Sequence, residues 1–436
     1  MAMETRGKQM INSVKAIENF QKGLYDSLLQ DIYVDEKLVA HQRERYINAI
    51  KEYEILFCQD DINIFSAPGR TEVCGNHTDH QHGKVLAASI NLDIIAIAST
   101  NNSNIVKVVS NGYDMISIDV NDLEIRENET GDTASLVRGV LRGLKDRGYK
   151  INGFNAYTTS EVLIGSGLSS SAAFENVIGA IVSGLFNDNK IDAITLAQVS
   201  KFAENVYFKK PCGLMDQMAS AVGGLIYVDF KNPEVPLVNK LEVDFEKYGY
   251  SICIVDTKGS HVDLTDDYAM IPLEMKKVAN YFGKDVLRDC DATQFYLHLP
   301  EIRKVAGDRA TLRAFHFFKE ERHVENAVAA LKKDDIKTFL SIIKNSGNSS
   351  FKYLQNVYTN RDVQNQNVSV ALAFSGALLL EQYGVSRVHG GGFAGTIQAF
   401  VKNDFVNNYK KFVEAVFGDN SCHVLKIRKQ GSIKVI

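Results

Sequence analysis

A strand pattern over Gly153 to Thr159, a Gly/Ser run from Ile164 to Ser171 and a long apolar face over Ala172 to Leu185 follow one another in that order. Val177, Ile178, Ile181 and Leu185 recur at helical spacing, so the small-residue run ends where a helix begins. That order constrains the backbone: small residues let it approach a ligand closely, and a helix start aims unpaired N–H groups and a positive dipole end at the same point. A polyphosphate fits such a place. A Ser-rich helix cap after a turn fits it as well, so the run alone does not decide. Two other phosphate loops are excluded, because the chain has no GxxxxGK[ST] and Gly165-Ser166-Gly167-Leu168-Ser169-Ser170 ends in Ser where the dinucleotide fingerprint needs Gly.

With 436 residues, the chain exceeds the usual single-domain size, and two domains sharing a cleft are expected. Ile11, Val14, Ile17, Phe20, Leu24 and Leu28 repeat at helical spacing, followed by a second run over Val39 to Ile50. From Ile62 the pattern turns to β-rich pieces: Ile62 to Phe65, Val85 to Ile90, Ile94 to Ala98, Val106 to Val109 and Ile116 to Val120. Helices are expected at Ala134 to Lys145, Ile194 to Phe208, Leu273 to Tyr281, Ala310 to Leu331 and Ile336 to Asn345, with strands at Gly224 to Val228 and Ser251 to Val255. The reading is α+β in both halves: a helical N-terminal extension over 1–50, a domain over 51–205 and a second domain over 206–436.

A formal net charge of −4, without a basic run, gives no general attraction to nucleic acid or anionic lipid. Apolar residues at 45% and charged residues at 23% suit a soluble globular protein, and no apolar run reaches bilayer length. The six cysteines lack CxxC spacing and the N-terminus lacks a secretory profile, so reduced thiols and a cytoplasmic location are expected. The expected partners are small molecules, in a monomer or weak homo-oligomer.

Three further constellations carry chemistry. Ala67 to Gly83 concentrates Arg70, His77, Asp79, His80 and His82 beside turn-forming glycines, a natural cluster for hydrogen bonds to vicinal hydroxyls. Its histidine spacing matches neither HExxH nor a zinc finger, which makes a metal site the minor reading. Pro211-Cys212-Gly213-Leu214-Met215-Asp216-Gln217 places a carboxylate after a turn, where it serves either as a helix N-terminal charge or as a base. Val388 to Gly395 holds four glycines in six positions, the mark of close backbone packing or a ligand-facing loop.

All four elements occur in the order and approximate spacing of the GHMP kinases, and Gly69-Arg70 through Gly75-Asn76-His77-Thr78-Asp79 resembles the galactokinase signature within that family. The resemblance runs from about Ile62 to the C-terminus. It implies a two-domain α+β fold, with a mixed-sheet N-terminal domain, a ferredoxin-like C-terminal domain and the active site in the cleft between them. It also implies ATP and Mg²⁺ as cofactors and phosphoryl transfer to the C1 hydroxyl of a hexose, galactose first. By the same resemblance Asp216 is the base with Arg70 beside it, and Asn76, His77, Asp79, Gly213 and Tyr268 contact the sugar, Tyr268 being matched through His261. Gly165, Gly167, Leu168, Ser169, Ser170, Ser171 and Ala172 line the nucleotide, and Ser171 and Glu204 hold Mg²⁺.

Departures from the pattern keep two alternatives open. Galactokinases usually carry Glu where this chain has Asn76 and Tyr-Asn where it has His80-Gln81; Ile271-Pro272 replaces an Arg pair, and Ala394 stands for a Gly. Loss of a carboxylate at 76 removes repulsion against a C6 carboxylate, which brings in a galacturonate 1-kinase. A non-catalytic sensor of galactose and ATP is the alternative of another class, disfavoured because Ser171-Ala172-Ala173 and Asp216 are complete.

Overall fold

Asn91 to Asp93 reads as a polar break between two strands, yet in the computed structural model, which describes residues 10–163, 167–259 and 264–436, it lies inside one strand. In chain order the strands are β1 (Ile11–Asn12), β2 (Asp61–Cys74), β3 (Lys84–Thr100), β4 (Ile105–Ser110), β5 (Ile116–Asp119), β6 (Phe154–Ser160) and β7 (Leu225–Asp229). They continue as β8 (Leu237–Leu241), β9 (Tyr250–Asp256), β10 (Gly384–Val388), β11 (Thr396–Lys402), β12 (Cys422–Leu425) and β13 (Ile433–Lys434). The β3 strand stays continuous because Asp93 is paired with cations: its fully buried carboxylate accepts from Arg45 Nη1 at 2.6 Å and Arg428 Nη1 at 2.9 Å. Tyr33 Oη at 2.9 Å and the Ser66 hydroxyl complete the shell. A carboxylate so surrounded escapes most of the cost of burial.

Among the described residues, nine strands form a mixed sheet ordered β1-β2-β3-β6-β4-β5, with β13 added on β2 and the β7–β8 hairpin on β3. Only the β4–β6 pairing is parallel. Strands from both sides of residue 205 therefore build this sheet. A second sheet, antiparallel and ordered β10-β11-β9-β12, has the strand order of a ferredoxin-like unit, with long helical insertions between β9 and β10.

Both faces of the large sheet are covered, as the alternation in β2 and β3 requires. Phe65, Ala67, Ile94, Ala96 and Ala98 pack with helices Thr133–Asp146, Ser170–Phe186, Ala193–Phe202 and Met215–Val222. Ile62, Ile64, Ile95 and Ile97 face the N-terminal helices Ser13–Gln21, Asp26–Tyr33 and Val39–Phe57. The apolar series from Ile11 to Leu28 thus begins in β1 and continues as two helices, broken at Gly23, whose φ is 70°. The helix expected over Ile194 to Phe208 ends as α at Phe202 and closes with a π turn over Ala203–Tyr207.

The two sheets are stitched at one end of β2. Arg387 of β10 donates to Glu72 Oε1 at 2.6 Å and to the Val73 carbonyl at 2.7 Å, and Gln398 of β11 donates to Thr71 Oγ1 at 2.6 Å. Within this seam β2 also carries Arg70. No helix of the described residues is long and apolar enough to cross a membrane.

Candidate active site

Arg70 and Asp216, 146 residues apart in the chain, form a bidentate pair: Nε reaches Oδ1 and Nη2 reaches Oδ2, each at 2.7 Å. The planar guanidinium matches a carboxylate in this geometry, which fixes the orientation of both. Arg70 is held from behind, its N–H donating to the Leu168 carbonyl at 3.0 Å and its Nη1 to the Gly167 carbonyl. Ser169 donates its hydroxyl to Asp216 Oδ2. Ser169 stands at φ 58° just before helix Ser170–Phe186, a left-handed conformation for a non-glycine residue, and such conformations cluster at functional sites.

About a third of the Asp216 side-chain surface, 32%, remains exposed, so the pair is tied yet accessible. Burial works against the charged form of Asp216, but the Arg70 charge and the Arg70 and Ser169 hydrogen bonds hold it below the usual carboxylate value, with Lys210 adding in the same direction. Asp216 is therefore an ionised acceptor at neutral pH.

Asp79 reaches the same turn from the other side. Its Oδ2 accepts the Met215 N–H at 3.2 Å and its Oδ1 the His80 N–H at 3.0 Å. Gly213 permits this approach, since a β-carbon there would overlap the Asp79 carboxylate. His77, at φ 60°, places Nε2 3.1 Å from the Gly391 carbonyl and stacks on His80 with centroids 5.6 Å apart. Burial and then the His80 charge lower its pKa, favouring the neutral ring with Nε2 as donor. Tyr268 donates to the Gly392 carbonyl at 2.8 Å and meets Phe393 edge-on. The last glycine loop thus packs onto the His77 and Tyr268 side of the site.

Asn76 lies deeper than its neighbours, 1% exposed. Its Nδ2 donates to Glu72 Oε2 at 2.8 Å and to the Gly390 carbonyl at 2.7 Å, and its Oδ1 accepts from Asn356 Nδ2 at 2.7 Å. Glu72 is in turn the partner of Arg387, so a carboxylate stands one helical turn's length earlier in the sequence, neutralised by a buried guanidinium. Neither Glu72 nor Arg387 stood out in the sequence, because nothing local marks a buried pair 315 residues apart.

At the helix start, Ser171 Oγ donates to Glu204 Oε1 at 3.2 Å, and Gln217 Nε2 holds Glu204 Oε2 at 2.7 Å. Glu175 lies beside them, buried, with Oε1 unpartnered. A hydroxyl and a carboxylate are hard oxygen donors of the kind Mg²⁺ takes, so Ser171 and Glu204 suit that ion. Gly165 lies outside the described residues, as does His261. Leu168 and Ala172 are fully buried, the Leu168 carbonyl being taken by the Arg70 N–H; Ser170 stands at the first turn of the helix. Lys210, one residue before the Pro211 to Gln217 run, escaped the sequence reading, and Gln217 was read as part of that run without a role.

A cavity of about 580 Å³ lies between Leu241–Phe245 and Leu425–Lys429 and contains none of these groups. The chemistry is concentrated in the seam instead, where charge pairs and helix starts converge.

Residues 135–224 match the GHMP kinases N terminal domain, and residues 51–100 match the galactokinase galactose-binding signature. The chain is 29% identical over 390 residues to the galactokinase of Limosilactobacillus reuteri, covering 85% of this chain and 93% of that one. To the Clostridium tetani galactokinase it is 26% identical over 388 residues, covering 86% and 93%. The crystal structure of Lactococcus lactis galactokinase complexed with galactose aligns at a TM-score of 0.76 and 24% identity, over 88% of this chain and 98% of that one. The Methanococcus jannaschii mevalonate kinase aligns at 0.59 and 14%, over 84% and 98%. At such identities the structural likeness establishes the fold.

Proposed function

We propose that this chain, which belongs to the GHMP kinase family, is a galactokinase that transfers the γ-phosphoryl group of ATP to the C1 hydroxyl of galactose. The observation that carries the reading is the accessible Asp216 carboxylate, clamped by Arg70 and faced by the first turn of helix Ser170–Phe186.

Phosphoryl transfer asks mainly for alignment of the nucleophile and neutralisation of charge on the transferred group. Asp216 accepts the proton of the C1 hydroxyl, and the anomeric position makes that proton more acidic than an ordinary alcohol's. Arg70 keeps Asp216 ionised and oriented and brings positive charge to the side where the γ-phosphate arrives. Backbone N–H groups at Gly167 to Ser171 receive phosphate oxygens. Ser171 and Glu204 would hold Mg²⁺, which when bound would supply neutralisation of the polyphosphate charge. Asp79 and Gly213, with His77 and Tyr268, form the sugar side; Asp79 is suited to accept from two vicinal hydroxyls. Asn76 contributes through its closed network by supporting the strand end from which His77 projects.

The negative charge missing at 76 is present at Glu72 and already balanced by Arg387, so the local charge pattern offers no new attraction for a sugar acid. Steady-state kinetics with MgATP across galactose, galacturonate, N-acetylgalactosamine and glucose test the reading. Galactose is expected to give the highest kcat/KM. A clear galacturonate preference would replace the substrate, and no ADP release with any sugar would replace the enzyme by a sensor.

A further inference from the structure

The turn leading into Pro211 carries a cation to which none of these steps gives a ligand. Lys209 stands at φ 64°, and the Lys210 N–H closes back on the Glu204 carbonyl at 3.0 Å. This backbone folds the Lys210 side chain over Glu204, with Nζ 2.7 Å from Oε1. The same oxygen accepts the Ser171 hydroxyl, while Oε2 is held by Gln217. Oε1 is therefore the oxygen that faces the other proposed metal ligand, Ser171, and an ammonium sits on it. Glu204 is 3% exposed and the Lys210 side chain 57%, so the carboxylate is fixed and the cation is free to leave.

A divalent ion held by Ser171 and Glu204 Oε1 would compete for an oxygen that the ammonium already occupies at 2.7 Å, and like charges sharing one oxygen repel strongly. Lysine, a point charge on a flexible four-carbon stem, resolves the conflict by swinging to another anion. With nucleotide present, the nearest new anion is the polyphosphate.

We propose that Lys210 is a tethered counter-ion for the metal site: it holds Glu204 and Ser171 in place before metal binds, and passes to the nucleotide's phosphate oxygens when the metal arrives. The proposal rests on the assignment of Ser171 and Glu204 to Mg²⁺. It makes metal and nucleotide binding mutually reinforcing, because metal alone displaces the ammonium into solvent whereas metal with nucleotide gives it a partner.

The test uses the full chain without sugar, Mn²⁺ binding being read by electron paramagnetic resonance and ATP binding in excess Mg²⁺ by calorimetry. Lys210→Met is expected to bind Mn²⁺ alone about tenfold tighter and MgATP about tenfold weaker, a coupling of ordinary allosteric size. Lys210→Arg retains the charge and should behave as the unmodified protein. Lys210→Gln serves as the neutral variant if the methionine variant does not fold. Mn²⁺ affinity that is unchanged or weaker in a folded neutral variant overturns the proposal. Glu204→Gln is expected to abolish Mn²⁺ binding; if it does not, the metal assignment itself fails, a result distinct from a silent Lys210.

Discussion

Asp216 must be a carboxylate when the sugar arrives, and the Arg70 fork is what keeps it one. Asp216→Asn is expected to lower kcat by about two orders of magnitude or more, and also to lower the melting temperature, because the buried Arg70 guanidinium loses its counter-charge. The pH dependence follows from the same pair. Since the folded value lies below the ordinary carboxylate range, the stability from this pair is complete above that range and is lost as pH falls through the lowered value. In Arg70→Met the opposing charge is gone and burial remains, so the acid limb of kcat/KM attributable to Asp216 should move to higher pH; a profile identical in shape to the unmodified protein's would refute the assignment. Asn76→Glu would put a second carboxylate against Glu72, 2.8 Å from the present amide. It should destabilise the fold, and Glu72→Gln in the same chain should cost less than the sum of the single changes, as read by urea denaturation.

At the scale of elements, the site is made by two helix starts and a turn that meet because small residues permit it. Gly213 is where Asp79 enters, so Gly213→Ala should push that carboxylate aside. The expected outcome is a rise of about tenfold or more in KM for galactose, larger than any fall in kcat, because sugar alignment is lost before the Arg70–Asp216 pair is disturbed. The helix periods at 134–145, 172–185 and 310–331 were legible from apolar residues recurring at helical spacing, and helices form there at Thr133–Asp146, Ser170–Phe186 and Asp308–Leu331, the second of them buried on every side from Ala172 to Ser183. The β10, β11 and β12 strands and the helix Asn367–Leu379 were not read from the sequence. β10 and β11 flank a glycine loop whose length and small residues blur any two-residue alternation.

For the whole molecule, the N-terminal helices are part of the core rather than an appendage. Tyr33 and Arg45 come from those helices, and Arg428 from near the C-terminus, to meet on Asp93. Arg428→Met leaves a buried carboxylate short of one guanidinium and is expected to cost about 3–5 kcal/mol in urea unfolding. A chain starting after Phe57 would bare Ile62, Ile64, Ile95 and Ile97 and should accumulate as insoluble protein. Soluble, fully active protein from such a chain would show that the helices are dispensable.

The amino-acid sequence alone determined the α+β class, the order of strand, small-residue loop and helix, and the chemistry concentrated at Arg70, Asp79 and Asp216. Each of these is local: a periodicity, a glycine, a run of polar side chains. The tertiary structure decided what depends on residues distant in the chain. It joined two expected strands into β3 by pairing Asp93 with Arg45 and Arg428, and it turned Asn76 inward onto Glu72 and Asn356. It also laid Lys210 on Glu204. The reason is electrostatic: burial makes an unpaired charge or amide costly, and which partner relieves that cost is settled only when distant segments pack together.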